Sequence, residues 1–185
     1  CQLSQYVEER IQTTLDRAAP TAVALGPTLS SAQLAHLARA LDKRNREWRE
    51  EWMDGSPEGR AERRLKKLVE RAEGFYGRIT EVQRKQLQAQ LEASAFDASV
   101  QYREVLRRQQ DTLQTLRALR NGNAPEVARS LQSPDPAFRQ YTDRVRSQAC
   151  EAIAAFHNRT SASQRLRLQD TLKGYEGDVL ALMRP

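Results

Sequence analysis

One short pattern occurs three times in this chain: a hydroxyl residue followed three positions later by a glutamine. It stands at Ser30–Gln33, Thr80–Gln83 and Ser161–Gln164, and each copy leads into a stretch with leucines at helical spacing. In such a pair the hydroxyl accepts a hydrogen bond from the glutamine backbone amide, and the glutamine side chain reaches back to the amide of the hydroxyl residue. The sequence therefore predicts helix starts within about two residues of these three positions. Ser56 followed by Pro57 predicts a fourth.

Apolar residues recur at intervals of three and four along most of the chain, and no segment alternates with a period of two. We therefore expect an all-α fold, an elongated antiparallel helical bundle with one long central helix over about residues 80–120. At about 1.5 Å per residue this helix would be about 60 Å long. The other predicted helical segments are 2–17, 30–53, 57–77, a short piece around 125–131, 136–159 and 161–183. In the last of these, the residues expected to face inward are Leu166, Leu172, Tyr175, Val179 and Leu182.

The composition indicates a folded chain with a small core. Its 185 residues are 39% hydrophobic and 6% aromatic, enough for one domain whose helices bury narrow apolar seams. We expect a single helical domain over residues 1–185. Narrow seams also favour an elongated bundle or a homo-oligomer over a compact globule.

The two cysteines, Cys1 and Cys150, leave more than one interpretation open. Cys1 is either the lipid-bearing first residue of a mature bacterial lipoprotein or a truncation point. The pair would permit one disulfide in an oxidising compartment, while Cys150 by itself is most simply a buried small apolar residue. No stretch has the roughly 20 apolar residues of a membrane span, and no signal peptide is present.

A basic stripe in the third predicted helix is the first candidate binding feature. The chain carries a net charge of +6, and three-four spacing places most of the charges of this stripe along one side of the helix. Such a row could hold phosphate, anionic lipid or an acidic partner. The alternative is a solvated or salt-bridged face, because Glu62 and Glu70 lie close by. The stripe consists of Arg60, Arg63, Arg64, Lys67 and Arg71.

A pair of tryptophans is the second candidate. Trp48 and Trp52 are four residues apart and therefore neighbours on one helix face. They form either a plug in the core or an exposed aromatic binding patch.

The sequence offers no recognisable catalytic set. The two histidines, His36 and His157, lie far apart, and neither belongs to a zinc-ligand spacing. There is no glycine-rich phosphate loop, no nucleophile elbow and no cysteine with an evident histidine partner. We predict a protein that is not an enzyme and that uses no metal and no small-molecule cofactor.

The segment from Leu29 to Leu87 resembles a family of uncharacterised proteobacterial predicted lipoproteins. The resemblance implies a helical fold, an N-terminal lipoprotein signal and no assigned activity. It also implies that this chain is the C-terminal part of a longer precursor, in which case Cys1 is an internal residue and not the lipid anchor. The runs that carry it are Ser30-Ser31-Ala32-Gln33, Asn45-Arg46-Glu47-Trp48, Gly55-Ser56-Pro57-Glu58-Gly59-Arg60, Glu62-Arg63-Arg64 and Gly77-Arg78-Ile79-Thr80-Glu81-Val82-Gln83.

A weaker resemblance is to periplasmic helical proteins of the Spy and CpxP type, which carry a Leu-Thr-x-x-Gln motif at helix starts. Ile79-Thr80-Glu81-Val82-Gln83 comes closest to it, although capping alone can produce such a motif. We expect a non-enzymatic cell-envelope protein that binds a protein partner or an unfolded client, as a chaperone-like or adaptor module. By the first resemblance it would be periplasmic and anchored by lipid in its full-length form. The alternative function is binding of nucleic acid or an anionic surface through the basic stripe.

Overall fold

A computed structural model describes residues 2–122 and 135–183 of the chain, and these residues form helices without any strand. The all-α prediction is confirmed. Cys1 and the short helical piece predicted around 125–131 lie outside the described residues. The helices are α1 (Gln2–Leu25), α2 (Ser31–Trp52), α3 (Pro57–Tyr76), α4 (Glu81–Glu92), α5 (Ala98–Arg120), α6 (Pro136–Asn158) and α7 (Ala162–Leu182), with a 3₁₀ turn at Gly26–Thr28 between α1 and α2.

The four predicted helix starts are confirmed. Ser30, Thr80 and Ser161 are the N-cap residues of α2, α4 and α7, and each forms a complete capping box with its glutamine. Ser56 caps α3 through its side chain, with Pro57 at the first helical position. These starts depend only on residues within four positions of one another, which is why sequence alone locates them.

The single long helix predicted over residues 80–120 is wrong. The chain leaves the helix after Glu92 and re-enters it at Ala98, with Asp97 as a new N-cap that accepts from the amides of Ser99 and Val100. The interruption is stabilised by partners distant in sequence. The backbone amide of Ala95 donates to the Gln148 side chain at 2.7 Å, and the Asp97 amide donates to the Tyr141 hydroxyl at 2.8 Å.

The first helix is longer than predicted, because it passes through Pro20 and ends at Leu25. A proline inside a helix removes one backbone hydrogen bond and crowds the preceding turn. Here it does not end the helix. The true stop is Gly26, which is buried against Leu119: a Cβ at Gly26 would lie 2.6 Å from the Leu119 Cβ. Only glycine permits this approach.

The described chain divides into two compact units, and each draws on two stretches of sequence. Unit 1 comprises residues 1–54 and 96–146. Its α2 packs on α5, where Asn45 and Gln109 exchange side-chain hydrogen bonds of 2.7 and 2.9 Å. This reciprocal pair explains the polar position 109 in an otherwise apolar seam. The expectation of a single domain stays a prediction.

Unit 2 comprises residues 55–95 and 147–185. Its core consists of Leu65, Leu87 and Phe156 from three different helices, surrounded by partly buried apolar side chains. Beside this core the capping boxes of α4 and α7 meet, and Gln83 and Gln164 are buried against each other. Cys150 on α6 is half-buried, whereas the sequence predicted a buried position. Its side chain is not a free thiol.

The expected inward face of α7 is not covered. Leu172, at 50% exposure, and Tyr175, at 55%, are both exposed, as are Leu166, Val179 and Leu182. Tyr175 touches one ring, that of Phe75, with centroids 6.2 Å apart. The prediction that these side chains point into a core is wrong, because no helix of the described residues covers most of the second half of α7. None of the helices in the described ranges is long and apolar enough to cross a membrane.

Candidate protein-binding surface

An apolar stripe on α1 is exposed to solvent. Tyr6, Val7, Ile11 and Leu15 are 52%, 47%, 56% and 56% exposed, and the steps of four from Val7 to Ile11 to Leu15 place these three on one side of the helix. From Gln5 to Ala18 every side chain of α1 is exposed, whether apolar or polar. An amphipathic helix normally covers such a stripe, because most helical stability in proteins comes from packing of the apolar face.

The stripe borders a shallow, open cleft of about 370 Å³, and every residue that lines this cleft belongs to α1. The guanidinium of Arg10 lies over the Tyr6 ring, 4.9 Å from its centroid, so the arginine stem covers apolar surface while its head group stays in water. The result is a shallow apolar surface with an arginine at its edge. We refer to it as the α1 face; its lining residues are Tyr6, Val7, Arg10, Ile11, Thr14 and Leu15.

An ion pair at the edge of the α1 face, where Glu8 lies three residues before Ile11, holds the helix to α6. Arg146 donates to the carboxylate of Glu8 on α1 and to that of Asp143 on its own helix. These two carboxylates raise the pKa of Arg146. Pro20 lies nine residues after Ile11, which is two and a half turns, and so stands opposite the α1 face. Neither the ion pair of Glu8 with Arg146 nor Pro20 lines the cleft of the α1 face.

The tryptophan pair is half-buried and belongs to the packing of α2 against α5. Trp48 stacks on Tyr102 with centroids 5.4 Å apart and planes at 10°, and on Trp52 at 6.2 Å. Trp52 in turn meets Phe96 at 5.6 Å. Offset aromatic stacks of this kind stabilise helix contacts, so Trp48 and Trp52 do not form a free-standing patch.

The basic stripe lies on α3, in unit 2, whereas the tryptophan pair is in unit 1. Arg60, Arg63 and Arg64 are half-buried, and Arg60 donates to the Gly55 carbonyl at 2.6 Å. These three arginines and Lys67 all have bonding or electrostatic partners. Arg71, the last member, is exposed. Most of the stripe's charges are thus already engaged by the protein.

One acidic side chain is buried, and its partners explain it. Glu104 accepts hydrogen bonds from Arg107 and Arg108 on its own helix, which lowers its pKa to about 2 although burial opposes the shift. Arg107 also pairs with Asp111 at 2.7 Å. A carboxylate held this way is fully ionised at neutral pH and has no proton to give.

Two further titratable side chains, those of Tyr76 and His157, lie next to each other in unit 2. Tyr76 and His157 share a hydrogen bond of 3.0 Å beside the core of unit 2, and burial raises the pKa of Tyr76. His36 is exposed on α2. In the parts of the chain that the structure describes, no three His, Cys, Asp or Glu side chains group as metal ligands.

Comparison with known proteins places the chain in a family. The model of a family of unknown function (DUF6279) matches residues 1–142. The chain belongs to this family. No curated protein and no solved structure matches the chain.

The matched region of this DUF6279 protein runs from α1 into the first part of α6. It therefore contains the α1 face, the tryptophan pair and the basic stripe, whereas α7 lies beyond it. Sequence reasoning identified α1 as amphipathic but not as a binding surface. The exposure of the α1 face depends on whether another helix packs against it, and a local sequence pattern does not predict that.

Proposed function

We propose that this protein is a non-enzymatic binding module, chaperone-like or adaptor, that holds a protein partner against the α1 face. The observation that carries the proposal is the exposed stripe of Val7, Ile11 and Leu15 with its open cleft. Contiguous exposed apolar surface with a polar edge is typical of protein-interaction sites. Such an open face of a single helix suits packing against an apolar face of a partner.

The energetics favour binding at this position. Covering a side chain that is half exposed recovers about half of its 1.5–3 kcal/mol burial free energy, so four such residues contribute about 3–6 kcal/mol. Since α1 is already helical, the partner does not have to order it, and this lowers the entropic cost of association.

The place of action that we propose is the cell envelope. It is supported by the sequence resemblance to predicted bacterial lipoproteins, which implies a periplasmic protein anchored by lipid in its full-length form. The non-enzymatic part of the proposal is supported by the absence from the sequence of a nucleophile set, a metal-ligand spacing and a phosphate loop.

The test is an aggregation assay with an unrelated unfolding protein at equimolar ratio, comparing wild type with Ile11→Asp. The substitution places a charge in the centre of the α1 face, and we expect it to remove protection. Val82→Asp is the matched control, because Val82 is a 72% exposed apolar residue on α4, which belongs to unit 2 and contributes no residue to the α1 face. Equal protection by the two variants would exclude the α1 face as the binding surface. No protection by wild type would exclude the chaperone form and leave an adaptor for one specific partner.

Nucleic-acid or anionic-surface binding through the basic stripe is the alternative function, and it has less support. Four of its five residues already have partners, so an external anion would have to displace them.

A further inference from the structure

A cleft of about 350 Å³ lies between the first turns of α2 and the end of α5, both in unit 1. The two helices pack on each other and each side of the cleft supplies three residues, so it is a concavity between two elements. Its volume is at the lower end of the range for small-molecule sites. The lining residues are Ser31, Leu34 and Ala35 on the α2 side, and Arg117, Arg120 and Asn121 on the α5 side.

The base of the cleft is apolar. Leu34 is 5% exposed, so most of its side chain belongs to the packed interior and only its outer edge lines the cleft. Ala35 follows it and is exposed. Because alanine is small, the space in front of it stays open, and a larger side chain at this position would occupy the cleft.

Two arginines lie beside this apolar base. Arg117 and Arg120 are three residues apart and therefore on the same side of α5, and both are exposed. Among the described residues, no acidic side chain lines the cleft. In that part of the chain neither guanidinium makes a hydrogen bond or an ion pair, whereas Arg107 and Arg108 of the same helix both bind Glu104. Like charges side by side repel each other, and an anion between them would relieve this.

The end of a helix accounts for basic residues there, but not for this arrangement. Arginines in the last turn of α5 interact favourably with its C-terminal carbonyl groups. That interaction does not require them to line one cleft, nor does it explain the neutral donors beside them. Ser31, with its hydroxyl, and Asn121, with its side-chain amide, line the same cleft, and both groups can donate to an oxyanion.

We propose that this cleft binds a small amphiphilic anion, whose carboxylate or phosphate group is held by Arg117 and Arg120 while its apolar part lies against Leu34 and Ala35. Guanidinium groups bind both kinds of oxyanion through paired, charge-assisted hydrogen bonds. The apolar base favours a ligand with a hydrocarbon part over the bare headgroup. None of the lining residues belongs to the α1 face, so the proposed function does not depend on this site.

NMR titration of the isotope-labelled protein tests the proposal with hexyl phosphate and hexanoate. We expect saturable shifts of the backbone amides of Ser31, Ala35 and residues 117–121 with at least one of them, and the tighter ligand identifies the oxyanion. Its headgroup alone, inorganic phosphate or acetate, should bind at least tenfold more weakly, the loss expected from about two buried CH₂ groups. Hexylammonium should leave these amides unchanged.

The titration also states what would overturn the proposal. No saturable shift with hexyl phosphate or hexanoate up to about 10 mM excludes the site. Hexylammonium binding as tightly as the anions excludes recognition of the charge by the arginines. A headgroup that binds as tightly as its hexyl derivative excludes the apolar contact.

Four variants locate the site. Arg117→Gln and Arg120→Gln each remove one charge at an exposed position, so the fold should be retained, and each should raise the dissociation constant at least tenfold. Ala35→Phe occupies the cleft without changing any charge and should abolish binding. Arg46→Gln is the matched control, at an exposed position of α2 that does not line the cleft, and should bind as the wild type does. Circular dichroism checks that each variant stays helical. Wild-type affinity in either of the cleft arginine variants or in Ala35→Phe, or an equal loss in Arg46→Gln, overturns the proposal.

Discussion

Amide side chains connect the helices in both units of this protein. Asn45 and Gln109 exchange two hydrogen bonds in unit 1, and Gln83 and Gln164 do so in unit 2. A buried amide costs free energy unless all its hydrogen bonds are made, so each pair tolerates only one register of its two helices. These amide residues therefore specify which helix faces pack together. The few buried apolar side chains stabilise that packing.

Gln83→Ala should destabilise the protein much more than Gln33→Ala. Both changes remove the reciprocal half of a capping box, but loss of Gln83 also removes the two hydrogen bonds that the buried Gln164 amide makes with it. We expect a cost of about 2–4 kcal/mol for Gln83→Ala and about 0.5–1 kcal/mol for Gln33→Ala. Urea unfolding followed by circular dichroism measures both, and equal costs would contradict the coupling of the two boxes.

Glu104 should make stability depend on pH in the acid range. Hydrogen bonds from Arg107 and Arg108 lower its folded pKa from 4.5 to about 2, so the unfolded chain takes up the proton first as the pH falls. The contribution, at most about 3 kcal/mol, is fully present above pH 4.5 and is lost as the pH falls toward about 2. Unfolding of wild type and Glu104→Gln at pH 7, 4 and 2.5 should show the difference between them shrinking with acidity. A constant difference would mean that the carboxylate is not the stabilising group.

Helices of similar amphipathic pattern have different roles in this structure. Leu87 on α4 is 4% exposed, within the core of unit 2, while Leu172 on α7 is 50% exposed. Both sit in leucine-spaced helices that follow capping boxes, and both were expected to face a core. The difference is made by the neighbouring helices, since α3 lies over α4 but leaves the second half of α7 uncovered.

Leu87→Ala and Leu172→Ala form a matched test of this difference. Removing a packed leucine leaves a cavity and should cost about 2–4 kcal/mol. Removing a solvent-exposed one should change stability by less than about 0.5 kcal/mol. Thermal or chemical unfolding compares the two directly. A large loss for Leu172→Ala would show that α7 is covered in solution, for example by another molecule.

On the scale of the whole molecule, few of the large apolar side chains described are buried and many are exposed. Among the described residues, five large apolar side chains are buried, and fifteen are exposed. Exposed apolar stripes on α1 and α7 are more than a monomer needs for its own stability, and they suit a protein that works by contact with others. The chain carries a net charge of +6, and a net charge of this kind opposes non-specific self-association.

The same charge predicts only weak binding to polyanions. We expect duplex DNA to bind without sequence preference at low salt and to dissociate by about 200 mM salt, because four of the five charges of the basic stripe already have partners within the protein. Fluorescence anisotropy with two unrelated duplexes measures this, and reversal of Arg60, Arg64 and Lys67 to glutamate should remove what binding there is. Tight binding to one duplex only would favour the nucleic-acid function over protein binding.

The sequence by itself determined the helical class and the places where α2, α3, α4 and α7 begin. A cap needs only a hydroxyl and a nearby amide or proline, all within four residues, so a short stretch of sequence is enough to predict it. It did not determine the interruption between Glu92 and Ala98, which depends on Gln148 and Tyr141 about 45 to 55 residues away.

Only the tertiary structure decided which helix faces are covered. Nothing local distinguishes Ile11, left exposed, from Leu65, which is buried, because each lies on an amphipathic helix with the same period. Nor does the repeated capping pattern show that Gln83 is hydrogen-bonded to Gln164, 81 residues away, whereas the hydrogen bonds described for Gln33 are those with Ser30 in its own box. Burial is a property of what packs against a helix, and that choice is made by contacts between segments far apart in sequence.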